Sequence, residues 1–354
     1  MYALNMKKFK IMDKVLLILI FIIIIASQFK RMSKAYLIRT MVSGTISRMV
    51  LLIAGIALLS ACANQGTKVL DETPTRGNIK ITVDESFQPL LDTEIFTFTH
   101  LYTNANVTPQ YKPEYDVIND FMDDSVKVIV SSKKLSDYQI QYLRESQTIA
   151  RTTTFAYDAL ALVTNKANTD TLINYNAIRD IFLGKITKWN GVNPKSKLGE
   201  IQVIFDNTKS GNIRYFKELF EIKDSLSKIF YAVYGNPEVI DFVSRNKNAL
   251  GIVSVNWISD KDDSLSMSFV KKINVLAVSQ PYFNDGSYYR PYQGSIYDKS
   301  YPFVREIYLI SRETFAGLGS GFITWACAEQ GQRIVLKSGL VPATMPIRLV
   351  QIKH

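Results

Sequence analysis

The 354-residue chain has two cysteines, Cys62 and Cys327, and two histidines, His100 and His354. No Cys/His cluster has metal-ligand spacing, so neither a metal, a cofactor nor histidine-based catalysis is expected. The chain also lacks the run of about 20 apolar residues that comfortably spans a bilayer. Its two apolar stretches, Val15 to Ala26 and Val50 to Leu59, are both shorter. Internal repeats and low-complexity segments are missing as well. The whole chain is basic, with 42 Lys+Arg against 32 Asp+Glu. That excess is confined to one end: Met1 to Ala61 holds nine basic residues and one acid, Asp13, leaving 33 against 31 in the other 293 residues. A nearly neutral remainder gives no support for nucleic-acid binding.

The run Val50 to Leu59 follows Arg48 and ends in Leu59-Ser60-Ala61-Cys62. A basic residue, a short apolar stretch and two small side chains before a cysteine form the pattern of a bacterial lipoprotein processing site. Cys62 is therefore expected to carry lipid, with Met1 to Ala61 removed and the protein held on the periplasmic or outer face of a bacterial membrane. The alternative is a buried cysteine ending a hydrophobic helix. If Cys62 is acylated, Cys327 is the one thiol left and no internal disulfide can form. Two export-like segments in one leader are hard to rationalise, so a downstream start at Met32, Met41 or Met49 is one reading. A short membrane anchor over Val15 to Ala26 is the other.

Residues 62–77 are polar and read as a flexible tether, with structure beginning at Asn78. From there strand and helix patterns alternate. Ile79, Ile81 and Val83 recur at period two, Phe87 to Phe98 is apolar at helical spacing, and Pro113 to Asp124 places Tyr115, Ile118, Phe121 and Met122 on one face. Val126 to Val130 is a strand, Ser136 with Gln139 a capping box, and Tyr157 to Thr164 a strand buried on both faces. Further helices are expected at Tyr175 to Gly184, Ile213 to Ile222, from an Asn236-Pro237 start to Arg245, and from Gly321 to Lys337. Further strands are expected at Ile201 to Phe205, Leu250 to Val255, Ile273 to Val278 and Glu306 to Ile310. This alternation predicts an α/β fold with helices on both faces of its sheets, and its size predicts two lobes.

Three strand ends run through short polar turns into helices: Val83-Asp84-Glu85-Ser86-Phe87, Val130-Ser131-Ser132-Lys133-Lys134 and Phe205-Asp206-Asn207-Thr208-Lys209-Ser210-Gly211-Asn212. In open α/β sheets ligands bind beyond the carboxyl ends of strands, where helix N-termini favour an anion. Each turn alone would be a plain helix cap.

Asp180-Ile-Phe-Leu-Gly-Lys-Ile-Thr-Lys-Trp-Asn190, Ala156 to Asn165, Ser210-Gly211, Asn248 to Ser254 and Glu329-Gln-Gly-Gln with Gly339-Leu-Val-Pro342 are similar to segments of one family. The chain resembles the phosphate-type substrate-binding proteins of bacterial ABC importers, with gaps, from about Ile79 to Ala343. The resemblance implies a two-lobed periplasmic-binding-protein-like fold (type II), each lobe a mixed sheet flanked by helices, closing over a ligand in the cleft between. It places one lobe at residues 78–160 and 275–354 and the other at 161–274. It implies a monomer that captures phosphate or a related small anion and passes it to an ABC permease, with ligand contacts from Ser86, Phe87, Ser131, Ser132, Ser210, Gly211 and Asn212.

The chain departs from that family's pattern where charge matters. Asp206 stands four residues before Ser210, where the family has Arg; Asn212 replaces Thr; Thr208 lies where an acid is common; and the second loop reads Tyr111-Lys112-Pro113-Glu114. An Arg fork gives phosphate two charge-assisted hydrogen bonds, whereas a carboxylate at about 4 Å repels it by several kcal/mol at an effective dielectric near 20. Lys112, Lys133 or Lys209 are the candidates to restore positive charge. A cleft dominated by Asp84, Glu85 and Asp206 would instead suit a cationic ligand, or an envelope interaction protein that keeps the fold but not the small ligand.

An enzyme reading has weak support. Ser131-Ser-Lys-Lys134, Ser136-Asp137-Tyr138 and Lys209-Ser210-Gly211 approximate the three elements of active-site serine acyl enzymes in the right order. The second begins five residues after Ser131, too near to face it across a cleft, so no enzyme activity is expected. Among the aromatics, Tyr231, Tyr234, Tyr288, Tyr289 and Tyr292 are expected to pack lobes and loops, with Gly286 to Gly294 a candidate for the cleft rim.

Overall fold

The computed structural model describes residues 22–24, 72–282 and 286–347. Cys62 and Val50 to Leu59 lie outside the described residues. Among the described residues no helix is long and apolar enough to cross a membrane. The chain divides into two units, Met1–Val69 and Leu70–His354, and all the described strands belong to the second.

Thirteen strands are described: β1 Gly77–Asp84, β2 Ala105–Lys112, β3 Val128–Ser131, β4 Arg151–Asn165, β5 Leu172–Ile173, β6 Gln202–Phe205, β7 Phe230–Ala232, β8 Ala249–Ser254, β9 Ile273–Val275, β10 Ala277–Ser279, β11 Tyr288–Tyr289, β12 Val304–Ser311 and β13 Val341–Pro342. The main sheet runs β2-β1-β3-β12-β4-β8-β6-β7, with β9 and β13 also on β4, and a small sheet runs β11-β10-β5. β1, β2 and β3 are parallel, as are β6, β7 and β8, and antiparallel β12 and β4 lie between the two parallel sets.

β4 divides the molecule into two lobes. Up to Ala159 its residues pair with β12, and from Leu160 onward with β8. Phe155, Ala156 and Ala159 to Val163 are fully buried, as a strand covered on both faces must be. β9 pairs with β4 and β10 with β5, and Gln293 donates to the Leu336 and Leu340 carbonyls. A stacked and edge-on group, Phe182, Phe216 and Phe303, packs the second lobe against the crossing.

Elsewhere the folded chain departs from local pattern for identifiable reasons. The structure starts before Asn78: Thr73 and Arg76 form a bridge, Glu72 accepts from the Leu318 amide at 3.0 Å, and a Cβ on Gly321 would meet the Pro74 carbonyl. β2 escapes sequence recognition because Pro109 interrupts it; proline is tolerated since β2 is an edge strand. The last helix is two, Leu318–Ala326 and Glu329–Lys337, because the second starts against the end of the first, with Gly331 packed on the Ala326 backbone. Cys327, at that joint, is half-buried against the core, and burial pushes its thiol up to about 11. Tyr115, Tyr231, Tyr234 and Tyr292 are exposed rather than packed.

Candidate functional site

β1 and β3 run opposite to β6, and both sets end toward the middle of β4, so their three turns face one another where the lobes meet. After β1 the chain makes a short 3-10 turn at Glu85–Phe87 and enters the helix Gln88–Leu101; Asp84 caps this turn, accepting from the Ser86 amide at 3.0 Å. Ser210 caps the helix Gly211–Leu219, accepting from the Asn212 and Ile213 amides. Every predicted contact residue except Ser132 is buried, and Ser132 is partly so.

The lobes touch directly. Ser86 Oγ donates to Asn212 Oδ1 at 3.2 Å, and Asn256 Nδ2 donates to the Ser86 carbonyl at 3.1 Å. The Tyr115 amide donates to the Lys209 carbonyl at 3.2 Å. A Cβ added to Gly211 would stand 2.9 Å from Glu114 Oε1 and 3.0 Å from Asp84 Oδ2. Glycine is thus the residue that lets the second lobe's helix approach two carboxyl groups of the first.

Two polar clusters fill the interface. In one, the Glu114 carboxylate, 2% exposed, collects donors from both lobes. Oε1 accepts from Ser131 Oγ at 3.1 Å, the Ser132 amide at 3.1 Å, Ser132 Oγ at 2.6 Å and Arg214 Nη2 at 3.2 Å, while Arg214 Nε donates to Oε2. Burial raises the Glu114 carboxyl, but the Arg214 charge, with the Arg214 and Ser132 hydrogen bonds, leaves it below its ordinary range. In the other, Asp206 accepts from Ser210 Oγ, Asn212 Nδ2 and Asn236 Nδ2. Burial pushes Asp206 up to about 6. Asn236 is not a helix cap: Gly235 takes that place, its φ of 87° being one that glycine adopts freely, and Asn236 Oδ1 accepts from the Ser254 amide at 3.0 Å.

Between these clusters lies Arg305 of β12. Its Nε donates to Asp158 Oδ2 at 2.9 Å, and its guanidinium stands 4.9 Å from the Phe87 ring centroid. Ser254 Oγ adds a 2.9 Å bond to the same Asp158 oxygen. Burial and the nearby Glu114 charge push Asp84 up to about 8, and burial beside Asp206 pushes Glu85 up to about 7. From the Glu114–Arg214 pair a groove of about 860 Å³ opens outward, lined among others by Tyr115, Lys133, Ile213 and Lys217.

The fold therefore gathers the predicted residues at one cleft, but turns several of them onto side chains that local patterns did not reveal. Of the lysines considered, Lys112 pairs with Asp120, Lys133 with Glu218 and Lys209 with Asp116, each partly exposed. The cation bonded at the Glu114 cluster is Arg214, four residues after Ser210 where the family pattern has Arg four residues before. Helical i,i+4 spacing, which puts Ser210 and Arg214 on one face, was the signal available for it. Glu114 carried none beyond its place in an altered loop, Asp158 lies in a strand read as packing, and Arg305 precedes the strand expected at Glu306 to Ile310, which starts at Val304. The serine-enzyme elements do not assemble, since Ser131 Oγ is given to Glu114 and Lys134 Nζ lies over the Tyr308 ring. Gly286 to Gly294 contributes β11, which pairs with β10.

A two-lobed mixed α/β fold with polar helix-capping turns facing across a cleft defines a binding-protein class. Residues 70–330 match the PBP superfamily domain, and the chain belongs to that superfamily. It is homologous to phosphate-binding proteins: PstS of Borreliella burgdorferi is 24% identical over 299 residues, covering 80% of this chain and 94% of that protein. Among solved structures, a candidate phosphate ABC transporter substrate-binding protein with bound phosphate from Clostridium perfringens superposes with a TM-score of 0.64 at 22% identity, covering 75% of this chain and all of that one. An ABC-type phosphate transport receptor from Vibrio cholerae does so with a TM-score of 0.58 at 18% identity, again over 75% of this chain and all of its own.

Proposed function

We propose that this chain is a lipid-anchored, extracytoplasmic solute-binding protein that captures phosphate or a related small anion between its lobes and delivers it to an ABC importer by hinge closure. The observation that carries this reading is the convergence of Ser131, Ser132 and Arg214 on a single carboxylate oxygen. Two hydroxyls, a backbone amide and a guanidinium drawn from both lobes form an anion-binding arrangement, and an anion held there would bridge the lobes. Ser86, Phe87, Ser210, Gly211 and Asn212 then form the facing wall. Homology to phosphate-binding proteins supports phosphate as the anion. Cys62 is the proposed lipid attachment and a small solute, not a nucleic acid or an enzyme substrate, the proposed ligand of a monomer.

A second reading is favoured by the carboxyl groups of Asp84, Glu114 and Asp206 at the same cleft: a diverged envelope receptor that binds a non-phosphate ligand or a protein partner. Thermal unfolding with and without millimolar phosphate at constant ionic strength decides between them. At a thousandfold excess over its dissociation constant, a ligand adds about 4 kcal/mol, or roughly 10 °C for a domain of this size. No shift would abandon phosphate in favour of the second reading.

A further inference from the structure

We propose that Glu114 is an intramolecular ligand of the anion site, a built-in competitor that an incoming anion must displace, and that it sets the affinity of the cleft. The inference rests on the reading of that cleft as an anion site. Glu114 belongs to the first lobe, at the start of the helix Glu114–Met122, yet its carboxylate takes the charge-assisted hydrogen bonds of Arg214, 100 residues away in the second lobe. It also takes both serine hydroxyls and the Ser132 amide at the end of β3. Lys133 donates its amide to Ser131 Oγ at 3.0 Å, so that hydroxyl is aligned to give its proton to the carboxylate. These are the donors a tetrahedral oxyanion would need, and the ionised Glu114 carboxylate satisfies them as an anion.

A structural ion pair would be expected to sit beside an anion site, not to consume it. Here one oxygen of Glu114 accepts four donors, and the group is pressed against Gly211, where a Cβ would be 2.9 Å from it. The outward groove begins at this pair, with Glu114, Lys133, Arg214 and Lys217 in its lining. It gives the glutamate side chain a place to swing into and the ligand a way in, while the helix that carries Glu114 stays anchored by the Tyr115 amide on the Lys209 carbonyl. Arg214 also bonds Glu218, which keeps the guanidinium in place when Glu114 leaves.

An internal competitor lowers apparent affinity in proportion to the fraction of molecules in which the site is free. Removing it must therefore tighten anion binding. The test is isothermal titration of inorganic phosphate into the full-length protein, Glu114→Ala and Glu114→Gln at matched ionic strength. Both variants should bind at least about tenfold more tightly than wild type, with alanine gaining more because glutamine still offers one acceptor oxygen. If the alanine variant does not fold, the glutamine variant, which preserves volume, decides alone. Equal or weaker binding by the folded variants overturns the proposal, since a glutamate that merely holds the lobes together would lower affinity when removed. The two readings separate: wild-type binding with no gain sinks the internal ligand alone, whereas gain in the variants without detectable wild-type binding sinks wild-type phosphate capture and leaves the internal ligand standing.

Discussion

Replacing Arg305 with leucine should lower folding stability by about 3–5 kcal/mol, the usual cost of leaving one member of a buried ion pair alone. The side chain is 3% exposed and Asp158, its partner, is fully buried. Asp158 is bonded by both Arg305 and Ser254 across the place where β4 passes between lobes, so the pair lies at the mechanical centre of the fold. The same guanidinium lowers the carboxyl groups of Asp84, Glu114 and Asp206, and its removal leaves several acids without their cation. It also contacts the Phe87 ring, a cation–π interaction worth about 2 kcal/mol when desolvated. Urea denaturation at pH 7 would read the loss as a lower midpoint with an unchanged slope. Arg305→Leu combined with Asp158→Leu should recover much of it, because apolar replacement of a whole buried pair is often neutral. A single variant within about 1 kcal/mol of wild type would mean that Asp158 simply takes up a proton, in keeping with the upward push that burial gives it.

The second large effect is on pH. Burial pushes Asp84 up to about 8 and Asp206 to about 6, holds Glu85 near 7, and raises Glu94 well above its usual value. A carboxyl raised on folding contributes stability that is fully present below its unfolded value and is lost as pH rises through the folded one. Glu114, lowered by Arg214 against the effect of burial, acts oppositely, and its contribution is lost as pH falls toward the acid range. Stability should therefore peak near pH 5 and decline toward pH 8. Each proton retained only by the folded state costs about 1.4 kcal/mol per pH unit, so Asp84 and Asp206 alone give a decline on the order of 5 kcal/mol, with the partly exposed Glu85 left out. Asp84→Asn, which keeps the oxygen that accepts from the Ser86 amide, should flatten much of that slope and raise the unfolding midpoint at pH 8. A profile that is level or rising from pH 5 to 8 would mean that these acids are ionised and solvated in the folded protein.

Both effects arise from groups that sequence reasoning placed imperfectly. β1, β3, β4, β6 and β8 were legible because period-two or fully apolar runs within a few residues report burial directly. The Ser136 capping box was legible for the same reason, and the structure contains both of its hydrogen bonds. β2 was lost because whether a proline is tolerated depends on which strand lies beside it. Asn236 read as a cap because Asn-Pro is a local signal, yet its side chain serves Asp206, Asn212 and Ser254, residues brought to it by the sheet. Asp206 was legible as a departure from the expected arginine, but not as an acid satisfied by its own turn.

From the chain alone came the alternation of strands and helices, the two-lobed fold, the three polar turns at strand ends and the absence of the familiar arginine. Each is a pattern of near neighbours in sequence, governed by backbone geometry and burial period. Tertiary structure alone decided which charges meet. Glu114 and Arg214 are 100 residues apart, and Asp158 and Arg305 are 147 apart. Their pairing follows from strand order and from a glycine that permits the lobes to close on one another. Electrostatic energy depends on distance in space and on exclusion of water, neither of which is written in any short stretch of the chain.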